Sequence, residues 1–281
     1  MPGDRTHRDV KANGVRLRVT ECGTGPALVL LHGMFVDHRT WDGVVEDLST
    51  EFRVVAPDFP GFGESEKPSA QRFRYDVDAF AEVVADLYAG LDLGRAAVLG
   101  HGLGGGVAIA LAARHPELVS RLVLVDSMCF EAPLDLRRKI ALLPVVGGFV
   151  FKQLWNRATF RAYFREVVVS DGGELPRGKV DGYYDAFNGP QSRGSALSTL
   201  RATVDTRPVL AMTARISAPT LVVWGREDRV FPAALGQRLA RQIRGAGFEL
   251  MNAGHAPHEE RPREFSEIVS RFLRAERPAG T

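Results

Sequence analysis

Cysteine is nearly absent: Cys22 and Cys129 are the only two in 281 residues. They lie far apart and match no metal-ligand spacing, so neither a zinc site nor a disulfide framework is expected. An excess of one charge is lacking as well. The 36 basic and 34 acidic residues leave a formal net charge of +2, which offers no footprint for nucleic acid or an anionic membrane. Arg far outnumbers Lys, which reads as coding bias and not as a phosphate-binding device. No apolar run approaches the roughly 20 residues that cross a bilayer. Residues 1–10 are polar and charged, without an apolar signal region, so a cytoplasmic protein is expected. Internal repeats and low-complexity tracts are missing too. What remains is ordinary for a globular chain, 45% hydrophobic and 25% charged, enough for one large domain or a domain with an insertion.

The order of apolar runs suggests how that domain is built. Asn13-Gly14 separates two β-compatible runs, 7–12 and 15–21, as in a hairpin. Residues 27–31 are wholly apolar, the pattern of a strand buried on both faces of a parallel sheet. A helix over 39–48, a strand over 53–56 and a helix over 77–91 follow, the last with apolar residues at helical spacing. Strands at 96–99 and 122–125 flank a helical pattern over 107–113. The rhythm then stops. Residues 127–216 carry no clear strand and read as helices over 134–143, 149–158, 160–168, 180–187 and 194–204, punctuated by Pro and Gly. Strand and helix alternate again at 219–224, 233–244, 248–251 and 260–274. The expected class is α/β, a mainly parallel twisted sheet covered by helices on both faces, with residues 1–127 and 217–281 as the core and 128–216 as a helical cap.

One stretch organises the rest. The apolar run 96–99 ends in Gly100-His101-Gly102-Leu103-Gly104-Gly105-Gly106 and passes at once into a helical pattern. This is the spacing of a nucleophile elbow, Gly-x-Nuc-x-Gly, in which a nucleophile stands on a strained strand-to-helix turn. The stretch resembles the elbow of the α/β-hydrolase superfamily, with Gly100, Gly104 and Gly105 where that family needs small residues. Gly102 occupies the nucleophile position, where the family carries Ser, Cys or Asp.

The resemblance extends over residues 15–126 and 219–273. In the family the acid and the histidine follow the nucleophile in chain order. Asp228, in Gly225-Arg226-Glu227-Asp228-Arg229-Val230-Phe231-Pro232, matches the acid loop; Asp126 stands at the acid position of some relatives. His255, in Asn252-Ala253-Gly254-His255-Ala256-Pro257-His258, matches the histidine loop, and His258 reads as a solvated loop residue. His32-Gly33-Met34 resembles the family's oxyanion loop, which implies that the N–H groups of Met34 and Leu103 bind a developing negative charge. The resemblance assigns His32 mainly to supporting that loop. Substrate contacts are expected from His32, Gly33 and His101, and from Trp155 and Tyr183 of the cap. Neither a metal nor a cofactor is implied. The core resembles the esterase, lactonase and carbon–carbon hydrolase group more than the epoxide hydrolases or dehalogenases, whose Asp at 102 is missing.

Glycine cannot attack a substrate, so no acyl-enzyme forms at 102. Three readings of the sequence follow. A serine hydrolase has lost its Ser; or an enzyme works without a nucleophile, with His255 as general base in a cyclisation, elimination, decarboxylation or direct hydrolysis; or the fold is a binding module. Retention of Asp228, His255 and the oxyanion loop favours an enzyme acting on a small apolar carbonyl compound, with no nucleic-acid or membrane partner. The oligomeric state is left open by the sequence.

Overall fold

A computed structural model describes residues 4–131 and 155–275. The expected hairpin is formed by β1 (Thr6–Ala12) and β2 (Val15–Cys22). Its turn residues Asn13 and Gly14 both take left-handed φ, +46° and +76°, as a two-residue primed turn requires. Next come β3 (Ala27–Leu31), α1 (Asp42–Leu48), β4 (Arg53–Pro57), α2 (Val77–Leu91), β5 (Ala96–His101), α3 (Leu103–Arg114) and β6 (Val119–Val125). Beyond the undescribed residues lie four helices: α4 (Arg157–Tyr163), which runs into a π-helical turn at Phe164–Val168, α5 (Lys179–Phe187), α6 (Pro190–Ala202) and α7 (Arg207–Met212). The chain then returns to β7 (Thr220–Gly225), α8 (Ala233–Gln242), β8 (Gly247–Met251), α9 (Pro257–Glu260) and α10 (Pro262–Arg274).

The eight strands form one sheet in the order β1-β2-β4-β3-β5-β6-β7-β8. The pairs β1–β2 and β2–β4 are antiparallel, and every other pair is parallel. Alternation along each central strand buries both faces. Leu28, Leu30, Leu99 and Val223 pack with Trp41, Leu48, Phe265 and Val269, under α1 and α10. Val29, Leu31, Val98 and Val222 belong to the opposite core with Phe80, Leu111 and Leu239, under α2, α3 and α8. Phe160, Phe164, Tyr183 and Phe187 of the helical insertion join this second core. The insertion is therefore packed onto the sheet side and shares its hydrophobic interior.

Several local expectations change for identifiable reasons. The helix after β5 starts at Leu103, so Gly104, Gly105 and Gly106 are helical. Close packing demands them: a Cβ on Gly104 would lie 2.2 Å from the Leu31 carbonyl oxygen, and one on Gly105 would lie 2.0 Å from Ser127 Oγ. Pro208 initiates α7, where the sequence reads as a break; a proline in the first helical turn sacrifices no hydrogen bond. The closing helix is two helices that meet at Arg261, because Pro262 starts a new one. Trp155 and Asn156 are not helical, and Asn156 instead caps α4 by accepting from Thr159 N–H at 3.0 Å. The helix expected over 134–143, and residues 149–154 of the next, lie outside the described residues.

Candidate active site

The sharp turn after β5 places Gly102 at the carboxyl edge of the sheet. Its φ of +53° and ψ of −113° are accessible to glycine at little cost and strained for other residues. The turn is fixed by its own backbone. Gly102 N–H donates to the Val125 carbonyl at 3.0 Å, and the Gly102 carbonyl accepts from Met128 N–H at 2.9 Å. A Cβ built on Gly102 would meet His255 Nε2 at 3.5 Å and Gly33 Cα at 3.7 Å. Both are ordinary contact distances, so a side chain here would fit and would face the imidazole.

Asp228 follows β7, and His255 follows β8. His255 Nδ1 lies 2.9 Å from Asp228 Oδ2, and the other carboxylate oxygen accepts from the Val230 and Phe231 N–H groups at 2.7 and 2.8 Å. Burial works to raise the Asp228 pKa. The neighbouring His255 charge and these hydrogen bonds outweigh it, and the carboxyl is held below its ordinary value. An ionised Asp228 accepts from Nδ1–H, which leaves the Nε2 lone pair facing position 102. The Met34 and Leu103 N–H groups donate to no backbone carbonyl among the described residues. Leu103 is the first residue of α3, so its N–H also sits at the positive end of a helix.

The remaining candidates fall into place around this pair. His32 is fully buried and braces two loops: Nδ1–H donates to the Gly33 carbonyl at 2.7 Å, and Nε2 accepts from Phe59 N–H at 2.9 Å. Burial lowers its pKa, so it is neutral. Gly33 must lack a side chain, because a Cβ would press on His101 Nδ1 at 2.7 Å. His101 is buried, and its Nε2–H donates to the His255 carbonyl at 2.8 Å. Burial first, then the nearby His255 charge, lowers its pKa to about 3. His258 is completely buried, contrary to the solvated position read from the sequence, and packs tilted against Trp41 with ring centroids 4.4 Å apart. Trp155 stacks on Phe35 at 5.1 Å. Tyr183 turns its hydroxyl to Glu259, donating at 2.9 Å.

The insertion grips the histidine loop directly. His255 N–H donates to the Val168 carbonyl at 2.6 Å. One Glu260 oxygen accepts from Gly254 N–H at 2.7 Å, and the other accepts from Ser170 N–H and Ser170 Oγ at 3.1 and 2.6 Å. With His101 on its carbonyl, His255 is held from both sides. The loop after β3 is gripped as well: Phe35, at φ +67°, inserts its ring among Trp155, Phe160, Tyr163 and Phe187. A metal-compatible cluster at Asp37, His38 and Asp58 has its donors already engaged. Asp37 pairs with Arg39 at 2.6 Å, and His38 with Asp58 at 2.8 Å.

The family model for the alpha/beta hydrolase fold matches residues 26–262. The chain belongs to this family. An uncharacterized protein of Mycobacterium tuberculosis is 32% identical over 95% of this chain and 81% of its own. The 2-hydroxy-6-oxo-2,4-heptadienoate hydrolase of Pseudomonas putida is 30% identical over 96% of both chains. Among solved structures, the enol-lactonase of Burkholderia xenovorans superimposes with a TM-score of 0.78 at 27% identity, over 95% of this chain and all of that one. As a member of the α/β-hydrolase fold family, the protein shares its fold with small-molecule hydrolases. Among the described residues no helix is long and apolar enough to cross a membrane.

Sequence reasoning missed Glu260, Glu259, Val168 and Lys179. The two acids directly after the histidine loop were a visible signal. Their partners, Ser170 for Glu260 and Lys179 with Tyr183 for Glu259, come from the insertion and had none.

Proposed function

We propose that this protein is a cofactor-independent α/β-hydrolase-fold enzyme that acts on a small apolar carbonyl compound, an ester, a lactone or a cleavable carbon–carbon ketone, without forming an acyl-enzyme. The carrying observation is the 3.5 Å between His255 Nε2 and the position of a Cβ at Gly102. Asp228 on the opposite ring nitrogen orients the imidazole as a base toward the place a nucleophile would occupy. In this reading a water takes that place. His255 removes its proton as the oxygen attacks the substrate carbonyl, and the N–H groups of Met34 and Leu103 bind the resulting oxyanion. Collapse expels the leaving group, which takes the proton back from His255. Gly33 Cα borders position 102 and Trp155 belongs to the roof, while the Tyr183 hydroxyl is held by Glu259 beneath it. The names of the Pseudomonas and Burkholderia relatives support carbonyl substrates of this kind. A cytoplasmic setting belongs to the same reading.

A second reading uses the same groups without water. The His255 Nε2 lone pair beside an unfilled position could instead take a proton from substrate carbon, with the oxyanion site holding the enolate, as in a cyclase, lyase or decarboxylase. The test is a panel of esters, lactones and vinylogous 1,5-diketones offered to the protein and to His255→Asn, with product analysis by mass spectrometry. Hydrolysis products formed by the protein and abolished in His255→Asn are expected. Rearranged or eliminated products, equally dependent on His255, would select the second reading. Binding without any product would make the fold a binding module.

A further inference from the structure

Directly behind the dyad sits a buried carboxyl that the mechanism above leaves unused. Asp126 directly follows β6, with no exposed surface and a left-handed φ of +42°. Its Oδ1 accepts from Gly225 N–H at 2.9 Å. Its Oδ2 is buried and has no N–H or hydroxyl partner among the described residues. An oxygen of Asp126, an oxygen of Asp228 and a ring nitrogen of His255 lie within 4.8 Å of one another. Two carboxylates this close in a water-poor interior cannot both be ionised; one keeps its proton. The surroundings decide which. Asp228 has two N–H donors on one oxygen and the imidazole on the other, whereas Asp126 has a single donor. An orphaned Oδ2 beside a carboxylate is satisfied if it carries the proton itself.

We propose that Asp126 is a neutral carboxylic acid at neutral pH and a positioning residue, donating its proton as a hydrogen bond to ionised Asp228 and so fixing the carboxylate that orients His255. The chain of contacts is Asp126, Asp228, His255, then position 102, with one negative charge among them. Burial first, then the Asp228 charge, holds the Asp126 carboxyl well above the usual carboxylate range, while Gly225 N–H works the other way. The other charges facing it are Glu260 of α9, which favours the same protonated form, and the His255 ring when it is protonated. Any effect of Asp126 on turnover depends on His255 and Asp228 acting as the base. Its protonation does not, so the test is made without substrate.

Infrared difference spectra of the full protein against Asp126→Asn in D2O at neutral pH should contain a carboxylic-acid C=O band that the variant lacks. In Asp228→Asn the band's titration midpoint should shift to lower pH, because the repelling charge is gone. The melting temperature of Asp126→Asn relative to the unmodified protein should rise as pH increases from the acid range toward neutrality. In that range only the unfolded chain gives up the Asp126 proton, so the unmodified protein loses stability that the variant keeps. Should Asp126→Asn fail to fold, side-chain carboxyl 13C resonances of the unmodified protein report the same proton. Identical spectra for the protein and Asp126→Asn, a midpoint unmoved in Asp228→Asn, a melting difference independent of pH, or an Asp126 resonance that titrates as an ordinary aspartate would each overturn the proposal.

Discussion

Placing a hydroxyl at position 102 is the most direct perturbation of this site, and the structure sets its size. Gly102→Ser puts a non-glycine residue at φ +53°, ψ −113°, a strain of about 1–2 kcal/mol. No steric term adds to it, since the nearest atoms to the new Cβ stand at 3.5, 3.7 and 4.0 Å. For a chain of this size each kcal/mol shifts the melting temperature by about 2–4 °C, so a fall of about 2–8 °C is expected. The gain is chemical. A hydroxyl on that Cβ can come within hydrogen-bond reach of His255 Nε2, about 2.6–3.2 Å. Loss of the serine from a known triad costs roughly 10⁶-fold in kcat and leaves about 10³–10⁴ over water from the oxyanion site and binding alone. Supplying one at 102 should therefore raise hydrolysis of p-nitrophenyl esters by at least about a hundredfold. A fluorophosphonate should label the variant at position 102 and leave the unmodified protein unlabelled, as mass spectrometry would show. A variant that melts within the expected range, yet neither labels nor hydrolyses faster, would refute the assignment of His255, Asp228 and the two N–H groups to one hydrolytic site.

Three further outcomes follow from the same geometry. Glu260→Ala, made in the Gly102→Ser background, unties Gly254 from Ser170 and should lower kcat on a p-nitrophenyl ester by up to about a hundredfold with little change in KM; a change confined to KM would count against a role in holding His255. Lys179→Met strips the buried Glu259 carboxylate of its cation, 3.2 Å away, and should cost about 3 kcal/mol or more in urea titration. Burial raises the Glu259 pKa, so protonation should make that loss smaller at acid pH than at neutral pH. The folded pKa of Asp228 is depressed, so its stabilisation is present above the unfolded value near 4 and is lost as pH falls through the folded one. The melting difference between the protein and Asp228→Asn should accordingly shrink on acidification, and a difference constant from neutral to acid pH would contradict the His255–Asp228 pairing.

Much of this was legible in the chain because it is local. Runs such as residues 27–31 are apolar at every position, so they can only be interior strands, and the structure buries alternate residues on opposite faces. Asn13-Gly14 sets its own turn, and Gly100, Gly104 and Gly105 leave the space that the elbow's close backbone approaches need. That Asp228 and His255 would meet was readable from the loops they sit on, since a strand end fixes where the next residue projects.

Other features depend on residues distant in sequence, and these the tertiary structure alone decided. His258 looks like a loop histidine until Trp41 and Thr40 close over it. Tyr183 looks like a roof tyrosine until Glu259, 76 residues away, takes its hydroxyl. Glu260 acquires its role only when Ser170 arrives from the insertion. The sequence determined the sheet, the sharp turn after β5 and the loops that carry Asp228 and His255, because short-range periodicity and backbone sterics act within a few residues. Which buried groups are charged, which are braces, and what clamps His255 were decided by packing, because desolvation and hydrogen bonding depend on whichever atoms the folded chain brings alongside.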